Sequence, residues 1–353
     1  MLESKIDHFK ALDILRGLSA LAVFISHFCQ QFILLPPLGW IGTALELLGV
    51  MGVAVFFVLS GFLIHMGALR EMQRNGAMNW VNYTRRRFFR VIPAYVVALL
   101  VYSLLSYDLQ SNMMSPATPI GFFSHLLLVS SFVPGEFEGI NAIFWTVIVE
   151  CHFYAIYPLL HRFTRRFNPW AVFVATWLTG LILFISLSWL SRPGETRIMV
   201  QHIAPVLFWQ WTLGVLLAET HVRADFTFIR RLFSRRWLVA PLLFLAFGGT
   251  FFGSSTVELN FKRFILPFFC WALVGLFTLS AIQRWRNSVG EWLGDVSYSF
   301  YLWHPLALAI TAAMTLQGLV PTLTASLFFS VALAATSYYL VERPMMAVGH
   351  RRA

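Results

Sequence analysis

The chain has 353 residues, of which 58% are hydrophobic and 12% charged, about half the charge of an ordinary soluble domain. That composition excludes a soluble globular protein and, with long apolar runs repeated along the chain, indicates an all-α polytopic membrane protein. The net charge of +10 does not point to nucleic acid, because in such a protein basic residues gather in cytoplasmic loops.

In chain order, the amino-terminal MLESKIDHFK is mixed in charge and leads into an apolar run without a small-residue cleavage site, so no removed signal peptide is expected. Ten runs reach the roughly 20 residues needed to cross a bilayer: about 11–34, 46–68, 88–107, 142–162, 170–190, 199–219, 237–253, 263–282, 296–316 and 322–341. An eleventh, IGFFSHLLLVSSF at 120–132, has 13 residues and is expected to be re-entrant or interfacial. Charge placement fixes the count. With ten crossings and both termini cytoplasmic, 21 of the 26 Lys and Arg lie inside and four outside, Arg16 being within the first helix; if 120–132 crossed, that bias would largely vanish. The polar stretches are loop-sized, so residues 1–353 are expected to form a single integral-membrane domain. Cys29, Cys151 and Cys270 all lie in apolar runs and read as small buried hydrophobes.

Polar residues at membrane depth carry the functional signal. Arg16 and His27 are eleven residues apart on the first run, which puts them on one helix face about 16.5 Å apart. Asp13 lies one turn from Arg16 and is placed to pair with it. Taken singly, Arg16 also reads as a snorkelling helix-end arginine and His27 as an interhelical hydrogen-bonding residue. Glu150, in FWTVIVECHFYAIYP, falls about 12 Å below the outer edge of its span, a depth similar to that of His27. A carboxylate at that depth would orient the ring and support its proton affinity. A structural bond is the other reading. His152 faces away from Glu150 and reads as packing. In RRRFFRVIPAYVV, Arg87 and Arg90 stand one turn apart at a cytoplasmic helix start. They are either a positive-inside anchor or a phosphate site, and Pro93 would bend the helix and leave a mouth. In DVSYSFYLWHP, Ser297 opens a span and His304 lies two turns further on, among the belt-type aromatics Tyr298, Tyr301 and Trp303. Glu342 and Arg343 read as the close of a helix. His125, His152 and His161 lack the spacing of a metal site, so no metal is expected.

Together these residues resemble acyltransferase family 3, multi-span membrane proteins that move acyl groups from acyl-CoA to extracytoplasmic acceptors. The family's LDxLRGxxAxxVxxxH is similar to LDILRGLSALAVFISH at 12–27, placing its Arg and His on Arg16 and His27. Its GVxxFFVLSGFLI is similar to residues 52–64, and its RxxRxxPxY falls on Arg87, Arg90, Pro93 and Tyr95. Its FWSLxxExxFY resembles FWTVIVECHFY, with Glu150 as the glutamate, and its SYxxYLWHxP resembles SYSFYLWHP, covering Ser297 and His304. Thr146 stands where serine is common, and Cys151-His152 replaces a pair that is frequently acidic or glutamine-bearing, so a second carboxylate is absent there. The motif-bearing core spans residues 12–305, and the SGNH hydrolase-like domain of many members is not expected.

The resemblance implies an acyl-CoA-dependent O-acyltransferase of the bacterial inner membrane. The donor would be acetyl-CoA or another acyl-CoA, with its phosphates on Arg87 and Arg90 and its thioester arm running from Arg16 toward His27. His27, oriented by Glu150, would act as base on an acceptor hydroxyl. The implied acceptor is a lipid-linked or polymeric carbohydrate such as O-antigen of lipopolysaccharide or exopolysaccharide, with a lipo-oligosaccharide or macrolide-type metabolite as alternatives. Membrane lipid is the surrounding partner and no nucleic acid is expected. A proton-coupled transporter is the rival class, since carriers also use intramembrane His, Glu and Arg; the halves 1–175 and 176–353 show no repeat of the kind many carriers have.

Overall fold

The structure, a computed structural model, describes residues 10–33, 39–105, 113–191, 199–223, 226–234, 264–279 and 286–350. Among these residues no strand forms, and a single isolated bridge joins Met114 and Asn141. The helices are α1 (Lys10–Phe32), α2 (Trp40–Asn75), α3 (Trp80–Leu105), α4 (Pro119–Leu126), α5 (Phe144–Arg166), α6 (Pro169–Leu190), α7 (Ala204–Val222), α8 (Thr227–Ser234), α9 (Leu266–Leu279), α10 (Ser288–Asp295), α11 (Ser297–Ala313), α12 (Leu319–Ser337) and α13 (Arg343–His350). A 3-10 turn at Ser130–Phe132 follows α4, and a π-helical turn at Tyr338–Glu342 joins α12 to α13.

Six helical stretches among the described residues are long and apolar enough to cross a membrane: Lys10–Phe32, Trp40–Asn75, Trp80–Leu105, Pro169–Leu190, Met199–Val222 and Leu319–His350. The protein is thus an all-α membrane protein. The runs read at 142–162, 263–282 and 296–316 coincide with α5, α9 and α11. The run at 237–253 lies outside the described residues, as do the basic residues of segments 1–9, 192–198, 235–263, 280–285 and 351–353. The 120–132 run folds as α4 and the 3-10 turn. Its eight helical residues extend about 12 Å, well short of a hydrocarbon core of about 30 Å. Local sequence fixes its start: Pro119 sits in the first turn, and the Thr118 side chain accepts from the Gly121 N–H (2.8 Å).

The residues group into two compact units, one formed by 1–69 and 210–297, the other by 70–209 and 298–353. In the first unit α1 packs along α10. The Lys10 ammonium donates to Glu291 Oε2 (2.8 Å), and Arg286 donates to Oε1 of the same carboxylate (2.8 Å). Segments of α2 and α7 approach at backbone distance: a Cβ on Gly61 would stand 2.1 Å from Trp211 O, and one on Gly214 2.0 Å from Val58 O. Only glycine permits that approach, the small-residue packing that membrane helices use in place of a hydrophobic drive.

In the second unit α3 packs against α4, α5, α13 and the π turn, and α5 against α6. Prolines inside two helices are repaired by specific side chains. Pro158 in α5 cannot donate to the carbonyl of Tyr154, and the Tyr83 hydroxyl donates to that oxygen instead (3.0 Å). Pro305 in α11 likewise leaves the Tyr301 carbonyl without its helical donor, and His304 Nδ1 lies 2.8 Å from it. One rung further, the Tyr102 hydroxyl is inserted into the helix, donating to Leu302 O (2.9 Å) and accepting from Leu306 N–H (3.0 Å).

Candidate active site

The second unit gathers most of the expected site residues. On α3, Tyr83, Arg87 and Val91 recur every four residues and so share one face. That face and α5 line a cavity of about 220 Å³, bordered by Tyr83, Arg87, Val91, Cys151, Tyr154 and Pro158. Pro93, beside which a mouth was expected, is not among the lining residues. Arg87 is half-buried; its guanidinium carbon stands 6.0 Å from the Tyr154 ring centroid, and its Nε has no hydrogen-bond partner among the described residues.

Arg90, one turn on, is held differently. Its Nη1 lies 2.7 Å from Glu342 Oε1, with the side chains 19% and 0% exposed. The same nitrogen donates to Met346 Sδ (2.7 Å), so the carboxylate contact is an ion pair rather than an aligned hydrogen bond. Glu342 Oε2 accepts from Ser299 Oγ (2.6 Å), and Ser299 Oγ also reaches Ser337 Oγ (3.3 Å). The π-helical turn carries Glu342 into this position, a type of helix irregularity frequent at functional sites. Glu342, read from sequence as a helix close, is instead a buried partner of a site arginine. The charged pair in VERP, at the end of an otherwise apolar run, was its signal.

Glu150 is half-buried on α5 and accepts from the Tyr154 hydroxyl through Oε1 (2.5 Å). Together with Glu342, Tyr154 and Tyr298 it is among the groups that act electrostatically on Arg90. His152, two positions on, sets Nε2 2.8 Å from Leu128 O and packs its ring near Phe132, a structural placement.

Three other expected residues have bonding partners that serve the fold. The Tyr95 hydroxyl, 0% exposed, donates to His125 O (3.0 Å) and ties α3 to α4. His304 repairs the Pro305 break described above, and its ring stacks on Phe300. Ser297 Oγ donates to Gly294 O (2.7 Å), closing α10 in the first unit.

Also in the first unit, Arg16 and His27 are half-buried on α1, and Arg16 Nη1 lies 3.9 Å from Asp13 Oδ1, the pair expected from their spacing. A second buried pair was not singled out in the sequence: His65 Nε2 on α2 meets Glu219 Oε1 on α7 at 2.7 Å, with side chains 0% and 5% exposed. No group of three or more His, Cys, Asp and Glu suited to a metal occurs among the described residues.

The described residues thus form a multi-span helical protein with Arg87 on a cavity wall and Arg90 held by a buried carboxylate. A family model described as an acyltransferase domain matches residues 9–341, and the chain belongs to that family, acyltransferase family 3. The exopolysaccharide production protein ExoZ of Rhizobium meliloti is 24% identical over 331 residues, covering 86% of this chain and 92% of ExoZ. Acyltransferase MdmB of Streptomyces mycarofaciens is 32% identical over 158 residues, 43% of this chain and 39% of MdmB. A candidate O-acetyltransferase of Staphylococcus aureus (strain COL) is 23% identical over 378 aligned positions, 98% of this chain and 58% of that protein. The chain therefore spans less than two thirds of the length of the last two relatives. No solved structure is significantly similar.

Proposed function

We propose that this chain is an O-acyltransferase of a bacterial inner membrane, working as one membrane-embedded domain. It crosses ten times with both termini cytoplasmic. It moves an acyl group, acetyl by default, from cytoplasmic acyl-CoA to a hydroxyl of an extracytoplasmic carbohydrate such as exopolysaccharide or O-antigen. Family membership supports the transfer chemistry, and the name of ExoZ, matched over nearly its whole length, supports a carbohydrate acceptor.

The observation that carries the donor assignment is the α3–α5 cavity with Arg87 on its wall. A guanidinium with an unbonded Nε is a planar fork suited to phosphate. Arg90 adds charge while its position is set by Glu342 and Ser299. Arg16 assists the thioester arm, and Asp13 holds Arg16. His27 takes the proton from the acceptor hydroxyl as the oxygen attacks the thioester carbonyl; the C–S bond breaks and the CoA thiolate receives the proton. Positioned proton transfer of this kind contributes about 10²–10⁴-fold. Glu150, whose Oε1 accepts from the Tyr154 hydroxyl, is the second catalytic group.

Mass spectrometry of cell-surface glycans with and without the protein tests the reading: an acyl group missing from a carbohydrate in the deletion strain names the acyl group and the acceptor together. An unchanged glycan profile, together with no transfer of radiolabel from acyl-CoA, overturns it. His27→Ala is expected to abolish transfer while acyl-CoA still binds. His27→Ala and Glu150→Ala combined should cost no more than either alone, as for residues that act as a unit; additive losses would separate their roles.

A further inference from the structure

The second unit holds a larger cavity that the transferase reading does not use. It is a groove of about 540 Å³ between α5 and α6, closed at one side by Pro205 and Phe208 of α7. That volume falls within the range of small-molecule clefts, roughly 300–1,000 Å³. Its walls are hydrocarbon. The only hydroxyls lining it are those of Thr176 and Thr179, and both already donate within their own helix, to Phe173 O (2.8 Å) and Ala175 O (2.8 Å). The groove therefore offers an occupant no free donor, and a polar ligand would lose hydrogen bonds on entering. Along α5 the lining runs from Ile156 to Phe167, a length of about 16 Å, which matches one leaflet of a hydrocarbon core about 30 Å thick.

The end of the groove is charged. Phe163 and Phe167, 43% and 50% exposed, form its floor there. Arg162, Arg165 and Arg166 are interleaved with them and exposed, and the Arg166 guanidinium carbon stands 5.8 Å from the Phe167 ring centroid. None of the three has a carboxylate partner among the described residues. The amino terminus of the 22-residue α6, capped by Asn168, begins at the same place and adds a positive dipole end. A leaflet-length apolar trough beside a helix end that carries three guanidinium groups, Arg166 against its floor and Arg162 and Arg165 further around α5, is complementary to one kind of molecule.

We propose that this groove is a specific site for an anionic membrane phospholipid, one acyl chain lying along α5 and α6 and the phosphate headgroup drawn by the positive charge that Arg162, Arg165 and Arg166 place at the end of α5. The site is separate from the α3–α5 cavity, and it stands or falls independently of the acyltransferase reading.

Native mass spectrometry of the full-length protein released from micelles containing phosphatidylglycerol or phosphatidylcholine with identical chains tests it. The expected result is a retained phosphatidylglycerol, preferred over phosphatidylcholine on the order of a hundredfold for three arginines. Ala175→Trp, which fills the groove and leaves every charge in place, should abolish retention of both lipids. Arg162→Gln, Arg165→Gln and Arg166→Gln together should remove the preference. Because these arginines also bias insertion, the all-lysine triple variant serves as a control that keeps the charge and should keep most of the preference. Equal retention of the two lipids, retention unchanged in Ala175→Trp, or full competition by inorganic phosphate alone would overturn the proposal. So would a dimer that is present without lipid and lost in Ala175→Trp, which would make a second copy of the chain the occupant.

Discussion

Two buried side-chain pairs among the described residues, one in each unit, differ in what surrounds them. His65 and Glu219 are sealed: both side chains are 5% exposed or less, beside the helix contact that Gly61 and Gly214 allow. In the second unit Glu342 is equally buried, but Arg90 is 19% exposed, and the arginine one turn before it, Arg87, borders a cavity. A sealed pair can only hold helices together, because any change of partner leaves a buried polar group unsatisfied in a medium that cannot solvate it. A pair with one open end can hold a cation in place while leaving part of it for a ligand. Burial of the cation, rather than the strength of the pair, separates scaffold from site.

Breaking the sealed pair should have the largest effect on stability. Glu219→Ala leaves the imidazole in a site built for a carboxylate, and loss of one partner of a buried pair costs about 3–5 kcal/mol. Thermal unfolding in micelles should show that loss, while transfer per folded molecule stays near the parent value. Breaking the open pair should do the reverse. In Glu342→Ala the guanidinium of Arg90 can rehydrate, so the stability cost should be smaller, about 1–3 kcal/mol. The KM for acyl-CoA should rise roughly tenfold or more, with kcat changing less. A stability loss with no change in KM would make this pair scaffold too. Next comes Tyr102→Phe, which removes only the hydroxyl bridging Leu302 and Leu306 and should cost about 1 kcal/mol, visible as faster amide exchange at Leu306.

The smallest effect belongs to the exposed ion pairs of the first unit. The hydrogen bond from Lys10, with a further one from Arg286, holds the Glu291 carboxyl below its ordinary value. A depressed carboxylate contributes stability above the unfolded value, about 4.3, and loses it as pH falls through the folded value. The melting temperatures of the parent and Glu291→Gln should therefore differ slightly at neutral pH and converge as the pH falls through the lowered folded value. A gap that widens on acidification would reverse the assignment.

Much of this was legible in the sequence because it depends on local spacing. Asp13 and Arg16 are three residues apart on a helix, and they pair. The 120–132 run was too short to cross, and α4 is shorter still. Arg87 was singled out at the start of its run, and it lines a cavity on its face of α3. What was hidden depends on packing between distant segments or on departures from 3.6-residue periodicity. His65 and Glu219 are 154 positions apart, and nothing local couples them. Glu342 is displaced by a π turn that no hydropathy pattern announces. His304 drew attention as an intramembrane histidine, yet the proline that follows it was the better clue, since a broken rung needs a donor.

The turn at Tyr338–Glu342 makes chain length a variable in its own right. Each residue of an α-helix advances about 100° around the axis. Excising one residue of Tyr338–Val341 would restore ordinary winding and change the angle at which Glu342 and Met346 face Arg90. A single-codon deletion there would thus disable the cluster without altering any of its side chains, and a compensating one-residue insertion just downstream of the gap would restore it.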